Sequence, residues 1–440
     1  MSVTAIHPYI GALLKGSREL PQSPAGWLNA RRAQALERAN ALTVPTTRDE
    51  EWRFTDITPL TKLHFQPALA AAELALADIK RFLVPEAGVR LTFVDGLFAP
   101  GLSAFAELPA GVRVSTLAEG AKTQGTALEA HLARHAAFEN NLFAALNTSY
   151  LRDGALVTVA KNQAYAVPVH LLFVATQKEV AAYPRCLVVA ETGAECTVIE
   201  DFVSLQDGAY FNNAVTEIVV GAGAKVRHIR LQRESLNAFH IAHCAVTLDK
   251  DASYLSNTVT LGARISRYDL NVAQNGEGAA MKIDGLALIS GRQLADTHTL
   301  MAHAKPSGRS EQLHKTIVGG AAHAVFNGKV FVHEGAQLTD SAQQSRNLLL
   351  SGRAHVDTKP QLEIFADDVK CSHGATVGQL DAEQLFYLKS RGLSDDTARN
   401  LLTYAFGAEI IDRIPVRSLV ERLEQTVLEQ TQGPEPEARP

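Results

Sequence analysis

Two different spacings of apolar residues divide the 440-residue chain. Between about residues 155 and 380, short β-branched segments such as Leu187–Ala190 and Thr197–Leu205 alternate with Gly, Asp or Asn, which is typical of strands separated by turns. On both sides of this region, apolar residues recur at helical spacing. The sequence therefore predicts an N-terminal mainly helical domain at 1–150, a β core at 151–380, a C-terminal helical domain at 381–431 and a disordered tail at 432–440.

The turn residues of the β core recur at a nearly fixed period. One series, spaced by 27 to 30 residues, consists of Gly193, Gly223, Asp251, Gly278, Gly308 and Gly335. A second series, spaced by 25 to 32 residues, consists of Gly208, Asn237, Gly262, Gly291, Gly320 and Gly352. Two turns per period indicate a flattened coil. The strict six-residue repeat of left-handed β-helices is missing, so we predict a right-handed parallel β-helix of about six coils. A β-sandwich, with turns about every 8 to 12 residues, is the competing fold.

The N-terminal region combines predicted helices with one short strand. A helix is predicted at Trp27–Leu42, and a strand at Leu91–Val94. Between them, the polar segment 45–55 is predicted to be a loop held in place by Trp52 and Phe54. A further single helix is predicted from a helical stripe formed by Leu128, Leu132, Leu142 and Leu146.

Three helices are predicted after the β core. Asp381 caps the first, which ends at Gly392, and Ser394 caps the second, which ends at Gly407. The third follows Pro415, and its apolar stripe consists of Val416, Leu419, Val420, Leu423 and Val427. One face of these helices is a candidate docking surface, since a short appendage has little room to bury every stripe.

Composition and motif content exclude several classes of protein. The net charge is −5 and the pI about 6.3, so neither nucleic acid nor an anionic membrane is expected as the main partner. The N-terminus lacks a signal-peptide pattern and no apolar segment approaches membrane-spanning length, so a cytoplasmic location is expected. The four cysteines form no CxxC motif, and the motifs of P-loop nucleotidases, dinucleotide-binding folds, serine hydrolases and zinc proteases are missing.

The densest group of reactive side chains lies at residues 366–378. Cys371 and His373 are two residues apart, so on a strand both would lie on one face, where they could share a soft metal or meet a partner surface. Asp367 and Asp368 precede them. A buried structural cysteine and histidine remain the alternative.

Two further functions follow from other residues. Histidines crowd the second half of the chain, and the most ligand-like motif, Asp296-x-His298-x4-His303, leaves open a homo-oligomeric His-rich metal-binding protein. A β-helix carbohydrate-active enzyme could use Asp367 and Asp368 as acid and base, although adjacent residues on a strand lie on opposite faces. The crowded histidines are His298, His303, His314, His323, His333, His355 and His373.

Two long segments carry a family resemblance. Residues 45–56 (PTTRDEEWRFTD) and 342–392, which include AQQSRNLLLSGRAHVDTKPQLEIFADDVKCSHGATVGQLD, are similar to the SufB/SufD family of iron–sulfur cluster assembly proteins, and most closely to its SufD branch. The resemblance covers essentially the whole chain. It implies a right-handed β-helix between helical ends, and a non-catalytic scaffold subunit of a complex whose ATPase activity belongs to another chain, SufC.

The resemblance also implies partners and site residues. It places SufC on residues 381–431 and SufB near residues 340–378, where His373 and Cys371 would contribute to a transient iron–sulfur cluster shared with SufB. The position where SufB carries an essential cysteine is Ala354 here, so this chain would supply only part of the site. Reduced flavin is expected only in the full complex, and a homodimer is possible for the chain alone.

Overall fold

Two mainly parallel sheets of eleven strands each form most of the molecule, which a computed structural model describes from residue 8 to residue 431. The tail predicted at 432–440 lies outside the described residues. Strands account for 40% of the chain and helices for 25%, which confirms the prediction of a mainly β fold with helical ends. Within the described range, no helix is both long and apolar enough to cross a membrane.

The N-terminal region holds short helices and strands. Its α-helices are α1 Pro8–Arg18, α2 Gly26–Ala41, α3 Thr58–Thr61, α4 Leu76–Ile79, α5 Leu117–Thr123, α6 Gly125–His131 and α7 Leu142–Ser149. Its 3₁₀ helices are Glu50–Trp52, Lys80–Phe82 and Pro100–Leu102, and its strands are β1 Gln66–Pro67, β2 Val89–Val94, β3 Leu97–Phe98, β4 Ala104–Phe105 and β5 Val112–Thr116. Strand β2 pairs in parallel with Val169–Val174 of the next region, so the N-terminal region extends the sheet.

The remaining strands wind between the two sheets. They are β6 Ala155–Val159, β7 Ala164–Ala175, β8 Val180–Ala182, β9 Arg185–Ala190, β10 Glu195–Ser204, β11 Phe211–Val220, β12 Lys225–Arg233, β13 Phe239–Leu248, β14 Ser253–Thr260, β15 Ile265–Gln274, β16 Ala280–Ile289, β17 Leu294–His303, β18 Arg309–Val318, β19 His323–Val332, β20 Asp340–Leu349, β21 His355–Ile364 and β22 Lys370–Gly378. The first sheet runs in the order β21-β19-β17-β15-β13-β11-β9-β6-β5, and β8 pairs with β11 and β1 beside this path. The second runs in the order β22-β20-β18-β16-β14-β12-β10-β7-β2-β3, and β4 pairs with β2 beside it.

The predicted parallel β-helix is confirmed, with about eight turns instead of six. Both series of turn residues lie where the chain crosses between the sheets, and Gly193 and Gly320 adopt positive φ there (68° and 62°). The first coil was missed because Asn162, with φ 58°, takes the place of glycine at its turn. The last coil was missed because its turn, at 365–369, contains no glycine.

The helix predicted across Leu128 to Leu146 is wrong, because α6 ends at His131 and α7 begins at Leu142. Between them, the backbone N–H groups of residues 133–136 donate hydrogen bonds of 2.7 to 3.0 Å to the buried Glu217 carboxylate. Arg185 completes the pairing, with Nη2 2.6 Å from Oε2 of Glu217. A carboxylate without these donors would be costly to bury, so the loop conformation is favoured over a continued helix.

Segment 45–55 packs on the outer face of the first sheet, where Trp52 is held as predicted. The Arg267 guanidinium lies 3.9 Å from the centre of the Trp52 ring, and the Thr55 hydroxyl donates a 2.6 Å hydrogen bond to Asp296. The imidazole of His298 lies 3.0 Å from Asp296 and 3.3 Å from Glu51. These contacts attach the N-terminal segment to strands late in the β-helix.

Replacing His298 with glutamine should flatten the dependence of stability on pH between about 6.5 and 9. Burial lowers the pKa of His298, but Asp296 and Glu51 outweigh it and raise this pKa to about 9. Its ion pairs therefore stabilise the fold fully below pH 6.5, and this contribution, at most about 3 kcal/mol, is lost as the pH rises through 9. Urea unfolding across this range measures the slope. His333→Gln, at an exposed histidine, is the control, and equal slopes in the two variants would contradict the prediction.

The C-terminal helices are α8 Ala382–Ser390, α9 Asp395–Ile411 and α10 Arg417–Thr431. Asp381 and Ser394 cap α8 and α9 as predicted. The predicted helix end at Gly407 is wrong, because Gly407 is buried against the second sheet and α9 continues to Ile411; a Cβ there would lie 3.5 Å from the Ile317 side chain.

The apolar stripe of α10 packs inward on the second sheet. Leu419 and Leu423 are each 1% exposed and belong to the same buried cluster as Leu286 and Ile317 of the β-helix. The stripe is therefore closed to partners. Helix α8, by contrast, contains no buried residue, and the candidate docking face falls there.

Candidate functional site

The last coil leaves the β-helix open at its C-terminal end. Among the described residues, β22 pairs only with β20, and β21 only with β19, so each has one unpaired backbone edge. Every residue of β22 is exposed except Cys371, which is half-buried. Since unpaired edges readily accept another strand, this end is suited to joining a second chain.

Cys371 and His373 lie on the face of β22 that continues the interior of the coil. Their neighbours on β20 are Ser341 and Gln343, each 1% exposed. Cys371 also packs against the apolar interior cluster, whereas His373 is exposed at the open end. The expected common face is therefore present, at the end of the solenoid and not buried in its middle.

A ladder of polar side chains leads along the interior toward His373. Gln312 Nε2 donates to Thr299 Oγ1 at 2.8 Å, and Gln343 Nε2 donates to Gln312 Oε1 at 2.8 Å. Gln343 Oε1 is buried without a hydrogen-bond partner among the described residues, and the next residue in register is His373. This ladder could not be predicted from local sequence patterns, because its only signal is the recurrence of glutamine one coil apart, at 312 and 343.

The surroundings of Cys371 favour the neutral thiol. Burial and the negative charge of Asp340 raise its pKa, and a backbone hydrogen bond to Ser341 opposes them only in part. Asp340 is the carboxylate that acts on this thiol. Ligation by Cys371 would therefore require a metal to displace the proton.

The metal motif Asp296-x-His298-x4-His303 does not form one site. His298 faces outward beside Asp296, whereas His303, an odd number of residues later, faces inward and bonds to Gln274 (2.7 Å) and Ser310 (2.9 Å). Burial lowers the pKa of His303 to about 4, so it is a neutral hydrogen-bonding residue of the interior.

The other crowded histidines lie at separate positions, except for one pair. His314 is buried and stacked on Phe326, and burial lowers its pKa to about 3. His333 is exposed in the turn after β19. His323 and His355 lie together on the outer face of the first sheet. No continuous stack of imidazoles links these residues.

Asp367 and Asp368 do not lie on a strand. Both are exposed in the turn between β21 and β22, where the Asp368 backbone carbonyl accepts a hydrogen bond from Leu338. The expected placement of Asp367 and Asp368 at adjacent strand positions is therefore wrong.

The structure is a parallel β-helix between helical ends, and its open last coil carries Cys371 and His373. The chain belongs to the SufBD family of the SUF system for iron–sulfur cluster assembly. Residues 173–406 match the SufBD core domain, and residues 6–171 match the SufBD N-terminal region. The resemblance drawn from residues 45–56 and 342–392 is thereby confirmed.

Named relatives agree with this family over nearly the whole chain. The chain is 36% identical over 395 residues to the iron–sulfur cluster assembly protein SufD of Escherichia coli, covering 89% of this chain and 90% of that one. It is 42% identical over 408 residues to a SufBD family protein of Synechocystis, covering 90% of each. It is also 27% identical over 422 residues to SufD of Bacillus subtilis, covering 93% and 95%.

Proposed function

We propose that the chain is a non-catalytic scaffold subunit that pairs with SufB through its open last coil and recruits the ATPase SufC through its C-terminal helices. The observation that carries this proposal is the exposure of His373 on an edge strand that no other strand covers in the described chain. A histidine in this position can be contacted by a partner chain.

The end of the β-helix has the surface that such pairing needs. Ile364, Phe365 and Val377 are large apolar residues that are 38%, 60% and 49% exposed. Apolar side chains beside unpaired backbone groups favour the addition of strands from another β-helix. The lone chain could use the same surface to form a homodimer.

The chemistry of an iron–sulfur cluster supports a shared site. Each iron needs thiolate or imidazole ligands, and one cysteine with one histidine cannot complete the coordination of a cluster. Ala354, in the turn before β21, cannot supply sulfur. A transient cluster, as cargo, would therefore be held by Cys371 and His373 together with ligands from SufB. Reduced flavin remains an expectation for the full complex alone.

Co-expression with SufB and SufC should yield one stable complex that contains all three chains. The measurement is co-purification through a tag on this chain, followed by sizing by light scattering. The same chain purified alone gives the reference mass and shows whether it dimerises. A chain that stays separate from both proteins, although folded by circular dichroism, would overturn the proposal.

A further inference from the structure

Three metal-binding side chains converge on the outer face of the first sheet, at its last two strands. His323 on β19 and His355 on β21 are in register with each other, and Asp357 follows two residues later on the same face of β21. His323 Nε2 lies 2.7 Å from Asp357 Oδ2, and His355 Nε2 lies 3.2 Å from the same oxygen. All three ligand atoms lie within 4.8 Å of one another, which no other triad of His, Cys, Asp or Glu does within residues 8–431.

These separations match those between neighbouring ligands of one metal ion. With metal–nitrogen and metal–oxygen bonds of about 2.1 Å, adjacent ligand atoms lie about 3 Å apart. Two imidazoles and one carboxylate on one side of an ion are the ligand set that suits Fe²⁺, Co²⁺ and Zn²⁺ and leaves further positions open. The two Nε2 atoms and the carboxylate oxygen on which they converge are therefore placed to coordinate one metal ion.

The site is both held in place and accessible. Paired strands fix His323 and Asp357, whose side chains are 27% and 25% exposed, and His355, at 65%, is free to adjust toward an ion. The next outward lysine on β21, Lys359, is paired with Glu50 at 2.9 Å and does not pair with Asp357. The Asp357 carboxylate is therefore paired with the two imidazoles and not with this lysine.

We propose that His323, His355 and Asp357 bind one divalent transition-metal ion of the Fe²⁺, Co²⁺ and Zn²⁺ group. This site is distinct from the one assigned to Cys371 and His373. Its ligands lie on the outer face of β19 and β21, whereas those two residues lie on the inward face of β22.

Titration of the purified full chain with Co²⁺, followed by visible absorption, and with Zn²⁺, followed by calorimetry, tests the proposal. We expect one ion per chain, and a loss of affinity of at least about tenfold in His355→Ala and in Asp357→Asn. His355→Ala removes a largely exposed side chain and should fold as the wild type does, which thermal unfolding checks. His333→Ala is the matched histidine control and should bind as the wild type does, whereas His373→Ala tests whether the ion lies instead at the open end of the β-helix.

Three results would overturn this site: no ion bound by the wild type, binding that survives His355→Ala and Asp357→Asn together, or equal weakening by His373→Ala. The assay uses the chain without partners. Failure to form a complex with SufB and SufC would therefore leave it unaffected, and the two proposals fail independently.

Discussion

Replacing His373 with alanine should reduce iron–sulfur cluster maturation to background while the chain stays folded and its complex with SufB and SufC stays assembled. The side chain is exposed on the last strand, so its removal leaves no buried cavity. The substitution removes an imidazole that lies next to Gln343, at the end of the interior ladder. This is the place where the cluster would be shared with the partner. The measurement is the activity of an iron–sulfur enzyme in cells that depend on this system, with co-purification of the three chains as the test of assembly.

Two variants make this result specific. His333→Ala removes another exposed histidine, outside the last coil, and should mature clusters as the wild type does. Cys371→Ala should have a smaller effect than His373→Ala, because Cys371 is half-buried in the interior and its raised pKa disfavours the thiolate. Normal maturation in the His373→Ala strain would remove the role proposed for this residue.

The β-helix could be predicted because its turns demand unusual backbone conformations. Positive φ, which side chains disfavour, is adopted by Gly193, Gly223, Gly291 and Gly320. The spacing of the glycines therefore gives the period of the coils. At the turn of the first coil Asn162 adopts this conformation in place of a glycine, and that coil was missed. The glycine period is therefore visible in the sequence only where the backbone of a turn requires glycine.

Contacts between distant parts of the chain account for the errors. The break between α6 and α7 depends on a carboxylate about 80 residues later, Glu217, and the continuation of α9 through Gly407 depends on close packing against the second sheet. Local propensity favours the opposite outcome in both places, and tertiary contacts override it. The sequence pattern within these helices does not indicate the distant residues that they contact.

The candidate site was predictable in part. The spacing of Cys371 and His373 placed both on one face, because strand geometry has a period of two. Sequence did not indicate that Asp340 would act on the thiol, or that His323 would meet His355 and Asp357. Such pairs depend on the register between coils, which only the three-dimensional fold determines.

Replacing Phe386 with glutamate should abolish recruitment of SufC while leaving the fold and the pairing with SufB unchanged. Phe386 is 75% exposed and its neighbour Tyr387 is 56% exposed on α8, which contains no buried residue. Leu401 of α9 adds a third apolar side chain, 44% exposed. Exposed aromatic residues are the usual anchors of protein interfaces, and a charge in their place must be desolvated on binding. Co-purification of SufC and its ATPase activity in the complex measure the loss.

The control for this variant is Phe105→Glu, which places the same charge on another aromatic residue, 56% exposed, in β4 of the N-terminal region. It should retain SufC. Truncation after Gly378 would be a poorer experiment, because it also removes α10 and exposes the apolar surface around Leu286 and Ile317. Loss of SufC from a truncated chain would then reflect damage to the β-helix as readily as loss of a docking face. Retention of SufC by Phe386→Glu would show that recruitment does not depend on α8.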